Sequence, residues 1–501
     1  MDYSFKPIAF ALFCLITLLA LGLSAYAARG VRTAGHFYAA GGGVKWFVNG
    51  IAFSGDYLSA ASFLGIAGMI AASGFDGFMY SIGFLAGWIV ALFIVAEPLR
   101  KIGKYTFADA LTSTFKNKYV RLTAAISTLV VSVFYLIPQM VGAGSIVQPL
   151  IGLPYELGVV IVGSLVIVIV ATAGMVSTTW VQFIKGFLLL IAAGGLTIGV
   201  LIMAGQGPID FISSILSSQS IQLPKGTTVT GEQFLSPGLK YTNPWDFASL
   251  ALGLVLGTAA LPHILIRYYT VPSPADARKS TVIAIIAIGI FYILTLFLGL
   301  GANYFGTFDP GNENLAAPLL AQYIGGEVFF ALISSIAFAT ILGTVAGLIM
   351  AAAGAIAHDI YTEILGNKSD ESKSLKVSKL TAIAVGVIAI ALGILAKGQN
   401  VAFLVGLAFA IAASANLPAI LSTLFWKRAT DKGIIAGILT GLVSSIVLIL
   451  ISPTIMGSGA IFPLNNPGIV SIPLGFAVTV GVSLLDARRV ADEITVKTAG
   501  S

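Results

Sequence analysis

Apolar runs of about 20 residues, each closed by charge, proline or glycine, recur along the whole chain, and no other feature leaves so few folds open. A helix needs about 20 apolar residues to cross a bilayer. Such runs fall at 6–28, 46–73, 78–97, 121–144, 156–174, 177–204, 246–267, 280–302, 328–357, 378–396, 401–425, 433–452 and 470–486. They predict about 13 membrane-crossing helices, or 12 if the turn at Ala173-Gly174-Met175 does not divide its pair. Composition agrees: 57% of the 501 residues are hydrophobic and 10% charged, whereas a soluble domain carries about 25% charged residues. A water-soluble, disordered or collagen-like chain is excluded. The chain reads as an all-α integral membrane protein, a single transmembrane domain over 1–501.

The net charge of +6 reports topology. Lys6, Lys225, Lys240 and Lys397 fall on one side and Lys185 lies inside a run. The rest of the 27 Lys and Arg residues, Arg267 among them, fall between runs on the other side. Cytoplasmic loops hold the excess of basic residues. This predicts a multi-pass protein of the cell membrane with its N-terminus outside and its C-terminus cytoplasmic. Ala25-Tyr26-Ala27 imitates a signal-peptidase site, but Arg29 and Arg32 behind it argue for a retained helix. The basic clusters do not interleave with aromatic residues, so the expected surroundings are lipid and not nucleic acid. Cys14 stands alone, and His36, His263 and His358 have no metal-ligand spacing. No nucleophile–base pair is visible. Neither an enzyme nor a resident cofactor is expected.

Two runs are interrupted in matching places. The second holds Asn49-Gly50 and then Phe53-Ser54-Gly55-Asp56-Tyr57-Leu58-Ser59-Ala60-Ala61-Ser62. The seventh holds Gly253 and then Gly257-Thr258-Ala259-Ala260-Leu261-Pro262-His263. Each opens a block of five helices, 46–204 and 246–425, with one extra helix at 6–28 and two at 433–486. Paired broken helices in two inverted repeats mark secondary transporters, whose substrate and ion lie at the breaks. Pro262 has no N–H and frees the carbonyl of Thr258, while Gly55 and Gly257 let the backbone leave helical geometry. The competing reading of both glycines is close helix packing.

Asp56 is the sharpest single residue. An ionised carboxylate near a span centre costs about 2.5–3.5 kcal/mol, so a cation, a proton or a donor network is expected beside it. In the ninth span Thr340 and Thr344 share a face at i and i+4, although buried Thr hydroxyls also bond their own i−4 carbonyls. Lys185 lies about two turns into its span, where it either snorkels to the interface or serves as a coupling residue toward substrate, Asp56 or a proton. Pro138 and Pro418 free the carbonyls of Phe134 and Ser414 and flank two candidate cavity groups, Gln139 and Asn416.

Several stretches together resemble the sodium:solute symporter family. They are Asn49 to Gly65, Pro98 to Asp109, Leu261-Pro262-His263-Ile264-Leu265-Ile266-Arg267, His358-Asp359-Ile360-Tyr361 and Phe425 to Thr430. The Gly55–Gly65 and Gly257–His263 segments, with Ser414-Ala415-Asn416-Leu417-Pro418, look like its cation/acetate (monocarboxylate) branch. The resemblance implies a LeuT-type five-plus-five bundle and alternating access driven by Na+. It places the cation at the carbonyls of Ser54 and Tyr57 around Asp56, with the Thr340 carbonyl, position Gly343 and the Thr344 hydroxyl from the ninth span. The substrate, a small carboxylate such as acetate, is expected between the breaks among Phe53, Tyr57, Ser59, Ser62, Thr258, Gln139, Phe409 and Asn416. Two positions depart from the pattern: Gly343 replaces a frequent hydroxyl, and Thr179 stands where an acid is frequent. With Lys185 nearby, H+ is the alternative coupling ion. The rival functions are a Na+ symporter for proline, a sugar or a vitamin, a passive channel, and a solute sensor. The tail after Asp486 is too short for a signalling module. The spacing carries no oligomeric state.

Overall fold

Apolar surroundings offer backbone groups no water, so each apolar run must satisfy its own N–H and C=O groups as a helix. The computed structural model describes residues 6–28, 42–102, 105–170, 175–224, 226–366 and 371–499, and in it the runs are helices. They are α1 (Pro7–Ala28), α2 (Trp46–Tyr57), α3 (Ala61–Ser73), α4 (Phe75–Ile102), α5 (Phe107–Thr114), α6 (Lys118–Ile151), α7 (Tyr155–Val170) and α8 (Met175–Ala204). After the short α9 (Pro208–Leu216) come α10 (Pro244–Gly257), α11 (Pro262–Leu265), α12 (Pro274–Tyr304), α13 (Ala316–Gly354), α14 (Glu371–Leu395), α15 (Val401–Phe425), α16 (Asp431–Leu450) and α17 (Gly468–Ala499). Among the described residues, ten helical stretches are long and apolar enough to cross a membrane, and α2 with α3 makes an eleventh as a broken span. Two shorter apolar helices lie at Pro7–Leu19 and Tyr155–Leu165. Among the described residues, length and apolarity alone therefore do not reach the expected 13. The Ala173-Gly174 half of the dividing turn lies outside the described residues.

Both interruptions are present, but neither falls on its glycine. Gly55 lies inside α2, and the chain leaves helical geometry at Leu58, φ −71° and ψ 88°. The axis then bends by 62° into α3. A side chain on Gly55 would meet the backbone oxygen of Gln182 at 1.9 Å, so this glycine is required by close packing of α2 on α8. Gly257 does the same against Phe409 of α15, at 2.5 Å from its carbonyl oxygen. The second break comes at Leu261, φ −76° and ψ 117°, directly before Pro262 at the start of α11. Proline suits this first helical position, where its missing N–H has no intrahelical partner to lose.

Segment 205–245 folds as α9 and a two-stranded hairpin, β1 (Ile221–Gln222) and β2 (Thr228–Val229). It is pinned to the start of α4, where the buried Asp76 carboxylate accepts from the backbone N–H groups of Gly238, Lys240 and Tyr241. Next in the chain, α13 is kinked at Gly325–Gly326, so its apolar stretch begins where the run at 328 predicts. Around the breaks, α2 packs on α8 and α12, and α15 packs on α6, α10, α16 and α17.

Candidate functional site

Asp56 sits in the last turn of α2, 1% exposed, and its charge is answered from the second break. Arg267 Nε donates to Asp56 Oδ2 at 2.5 Å, and Gln182 Nε2 donates to Oδ1 at 2.9 Å. The basic-residue pattern predicts a loop cation at Arg267; instead it is fully buried in the turn that follows α11. A carboxylate held in apolar surroundings needs a hydrogen-bonded counter-charge. Arg267 Nη1 reaches Thr179 Oγ1 at 3.4 Å, so the threonine at the family's acid position stands beside a guanidinium. The Arg267 carbonyl accepts from Asn49 Nδ2 and Thr270 Oγ1, which ties α2 to the second break.

Lys185 does not snorkel. It is 3% exposed, and its Nζ donates to Thr344 Oγ1 at 3.1 Å, while that hydroxyl donates to the Asp56 carbonyl at 3.3 Å. The amine of Lys185 is thus linked to the Asp56 carbonyl through the Thr344 hydroxyl. Thr340, expected to offer its carbonyl to the cation, turns its Oγ1 back to the Ile336 carbonyl at 2.8 Å. Ser54 Oγ bonds the Ile51 carbonyl, and the Ser54 carbonyl accepts the Leu58 N–H. Gly343 faces Gln182, whose Oε1 would lie 2.8 Å from an added Cβ; a hydroxyl-bearing residue there would displace the amide that holds Asp56. With Lys185 protonated, Arg267 and Lys185 outnumber Asp56 by one positive charge.

A second lobe lies between the breaks. Tyr57 Oη shares a 2.8 Å hydrogen bond with Thr258 Oγ1, joining the end of α2 to the end of α10. The Phe409 ring packs on Tyr57, Phe84 and Tyr135. Tyr135 Oη donates to Ser59 Oγ at 3.5 Å, and Gln139 Oε1 accepts from the Ala60 N–H at 3.4 Å. The structure therefore brings Tyr57, Ser59, Thr258, Gln139 and Phe409 together. Ser62 turns to Tyr292, and Phe53 packs against Trp88 and Tyr268. Asn416 supports the break from behind: its Nδ2 donates to the freed Ala260 carbonyl, and its Oδ1 accepts from Ser127.

Sequence reasoning missed Arg267, Gln182 and Tyr135, which the structure places at the breaks. For Arg267 there was a signal, since it closes the run 246–267 and not a loop, five residues after the helix-breaking Pro262.

A broken-helix bundle with a charged centre of this kind defines a membrane transporter. The sodium:solute symporter family model matches residues 37–441, and the chain belongs to that family. It is 49% identical over 501 residues to the uncharacterized symporter YwcA of Bacillus subtilis, covering 97% of this chain and 96% of that protein. It is 48% identical over 466 residues to a monocarboxylic acid transporter of Corynebacterium glutamicum, covering 88% and 84%. In fold it is similar to a Na+-coupled sialic acid symporter solved in a substrate-bound outward-open state, with TM-score 0.75, 16% identity and coverage of 96% and 98%. It is also similar to Mhp1, a nucleobase-cation-symport-1 family transporter in a closed conformation with bromovinylhydantoin bound, with TM-score 0.56, 15% identity and coverage of 91% and 95%. The architecture is the LeuT-type fold. The protein is a multi-pass symporter and not an enzyme.

Proposed function

We propose that this symporter moves a small monocarboxylate, acetate foremost, across the cell membrane together with a proton carried on Lys185. The N-terminus lies outside, the C-terminus is cytoplasmic, and the repeats 46–204 and 246–425 move against each other. The observation that carries the reading is Lys185 Nζ on Thr344 Oγ1, a hydroxyl that the family resemblance counts among the ligands of the coupling cation. A protonated Lys185 leaves the centre with one uncompensated positive charge, and a monocarboxylate anion restores neutrality. A deprotonated amine with no anion is neutral again. Proton and carboxylate are thus favoured together, which is what symport requires. The substrate class is supported by the name of the Corynebacterium relative and by the Tyr57 and Phe409 rings, which suit a short alkyl chain. No resident cofactor takes part.

Sodium is the second reading, favoured by Gln182 Oε1, a buried acceptor with no hydrogen-bond partner among the described residues. With Thr344 Oγ1 and the Asp56 carbonyl it offers oxygens to an ion once Lys185 withdraws. Labelled acetate uptake into proteoliposomes, with H+ and Na+ gradients imposed separately, separates the two. Accumulation under the H+ gradient alone is expected, and Lys185→Met should abolish it while acetate exchange persists. Accumulation only with Na+ returns the coupling to sodium, and equilibration without accumulation makes the protein a channel.

A further inference from the structure

We propose that His263 and Gln139 form the carboxylate-binding pair of the substrate site, an assignment that rests on the monocarboxylate reading above. His263 follows Pro262 at the second break and is 2% exposed, yet neither ring nitrogen has a hydrogen-bond partner among the described residues. Gln139 is fully buried at the first break. Its Oε1 accepts the Ala60 N–H, which fixes the amide orientation and leaves Nε2 without an acceptor.

Tyr135 sits between the two. Its ring meets the His263 ring at 5.1 Å between centroids, and it lies one turn before Gln139 on the same face of α6. Its hydroxyl reaches Ser59, and its ring also faces Phe409. One orphan group thus belongs to the second break, and the other, from α6, bonds the first break; the Tyr135 ring contacts His263 and Phe409. Buried donors are normally satisfied, and two of them beside the same aromatic residue call for a ligand with two acceptor oxygens and a short apolar body. A carboxylate supplies this: one oxygen takes the Gln139 Nε2–H and the other takes an imidazole N–H. Arg267 also has an unpaired Nη2, but its charge is already met by Asp56, whereas the imidazole and amide have no counter-group. The ligand class is a short-chain monocarboxylate, its alkyl end toward Phe409 and Tyr57. An uncharged amide of the same size would offer a single strong acceptor and bind poorly.

The test uses full-length protein in proteoliposomes with labelled acetate, and acetate-induced thermal stabilisation in detergent as a binding readout independent of turnover. His263→Phe keeps the edge packing on Tyr135 and removes both nitrogens. Gln139→Leu removes the other donor. Each should raise the KM for acetate roughly tenfold to hundredfold, with the maximal rate retained and the acetate-induced shift lost. His263→Gln, which returns one N–H, should recover most of the affinity. Gln139→Glu, which places an anion against the carboxylate, should abolish stabilisation by acetate. An unchanged KM and an unchanged acetate shift in both His263→Phe and Gln139→Leu would overturn the assignment. So would a fall in maximal rate with KM untouched, the signature of a structural role. A variant too slow for kinetics is judged on its acetate shift, by the same criterion. Should the wild type neither transport nor be stabilised by acetate, propionate or pyruvate, the monocarboxylate reading falls too; an active wild type with indifferent variants removes this pair alone.

Discussion

Two charged clusters hold this molecule together, and they are built with opposite imbalances. At the breaks, one carboxylate, Asp56, meets two basic side chains, Arg267 and Lys185, none more than 3% exposed. At the far end of α13, two carboxylates, Asp109 and Asp359, share one guanidinium. Arg121 Nη1 donates to Asp109 Oδ1 at 2.8 Å and to Asp359 Oδ1 at 3.1 Å, and Nη2 reaches Thr112. His358 Nδ1 lies 3.0 Å from the same Asp359 oxygen. This second cluster borders solvent, with Arg121 and His358 about one-sixth exposed, so water can screen the negative charge left over when His358 is neutral. The first cluster has no such outlet. Its surplus is tolerable only if Lys185 sheds its proton or an anion arrives, and the proposed proton coupling would rest on that imbalance.

The most damaging way to break the contrast is to remove the central guanidinium. Arg267→Met leaves Asp56 buried with only the Gln182 amide and the Lys185 ammonium nearby, and losing one partner of a buried pair costs about 3–5 kcal/mol. Most of the folded protein should be lost, read as a large fall in thermal midpoint and in monodisperse yield. The double variant Asp56→Asn/Arg267→Met should recover yield and midpoint but not accumulation of substrate. If the single variant is as stable as the parent, the pair is not what holds α2 to the second break.

The sequence carried the helices and the two interruptions because both are local facts: apolar run length, and a proline that cannot continue the preceding helix. It singled out Asp56 and Thr344, which the structure brings together, for the same kind of reason, an acid and a hydroxyl inside apolar runs. What it did not carry is who meets whom. Asp56 and Arg267 are 211 residues apart, and an arginine at the end of a run looks the same whether it turns out to water or in to a carboxylate. Thr340 and Thr344 share a face, yet only Thr344 stands opposite Lys185 and the Asp56 carbonyl, while Thr340 closes on its own helix. Gly55 illustrates the converse error. A glycine beside a break reads as the hinge, but the space around it is set by the Gln182 backbone, which local sequence cannot reveal.

Arg121→Met tests the second cluster and should cost less, about 1.5–3 kcal/mol for hydrogen bonds to charged groups, because solvent can hydrate the released carboxylates. The thermal midpoint should fall by less than in Arg267→Met, and the loss should shrink in high salt, which screens the repulsion between Asp109 and Asp359. A loss that salt does not touch would place this cluster in the same dry class as the first.

The smallest effect expected belongs to Thr106, which joins the second cluster to the local fold. Its hydroxyl oxygen accepts the Asp109 N–H at 3.1 Å as the N-cap of α5 and donates to Asp359 Oδ1 at 2.9 Å. In return the Asp109 Oδ2 accepts the N–H groups of Tyr105 and Thr106, so one residue's side chain both starts the helix and orients an acid of the cluster. Thr106→Val keeps the shape and removes the oxygen, at a cost of about 1 kcal/mol for the cap. Thr106→Ser restores both bonds and should return the midpoint to the parent value. If Val and Ser behave alike, the hydroxyl is idle and the cluster is held by Arg121 alone. If Val costs as much as Arg121→Met, Asp359 depends on this hydroxyl as heavily as on its ion pair, and the second cluster is drier than its exposure suggests.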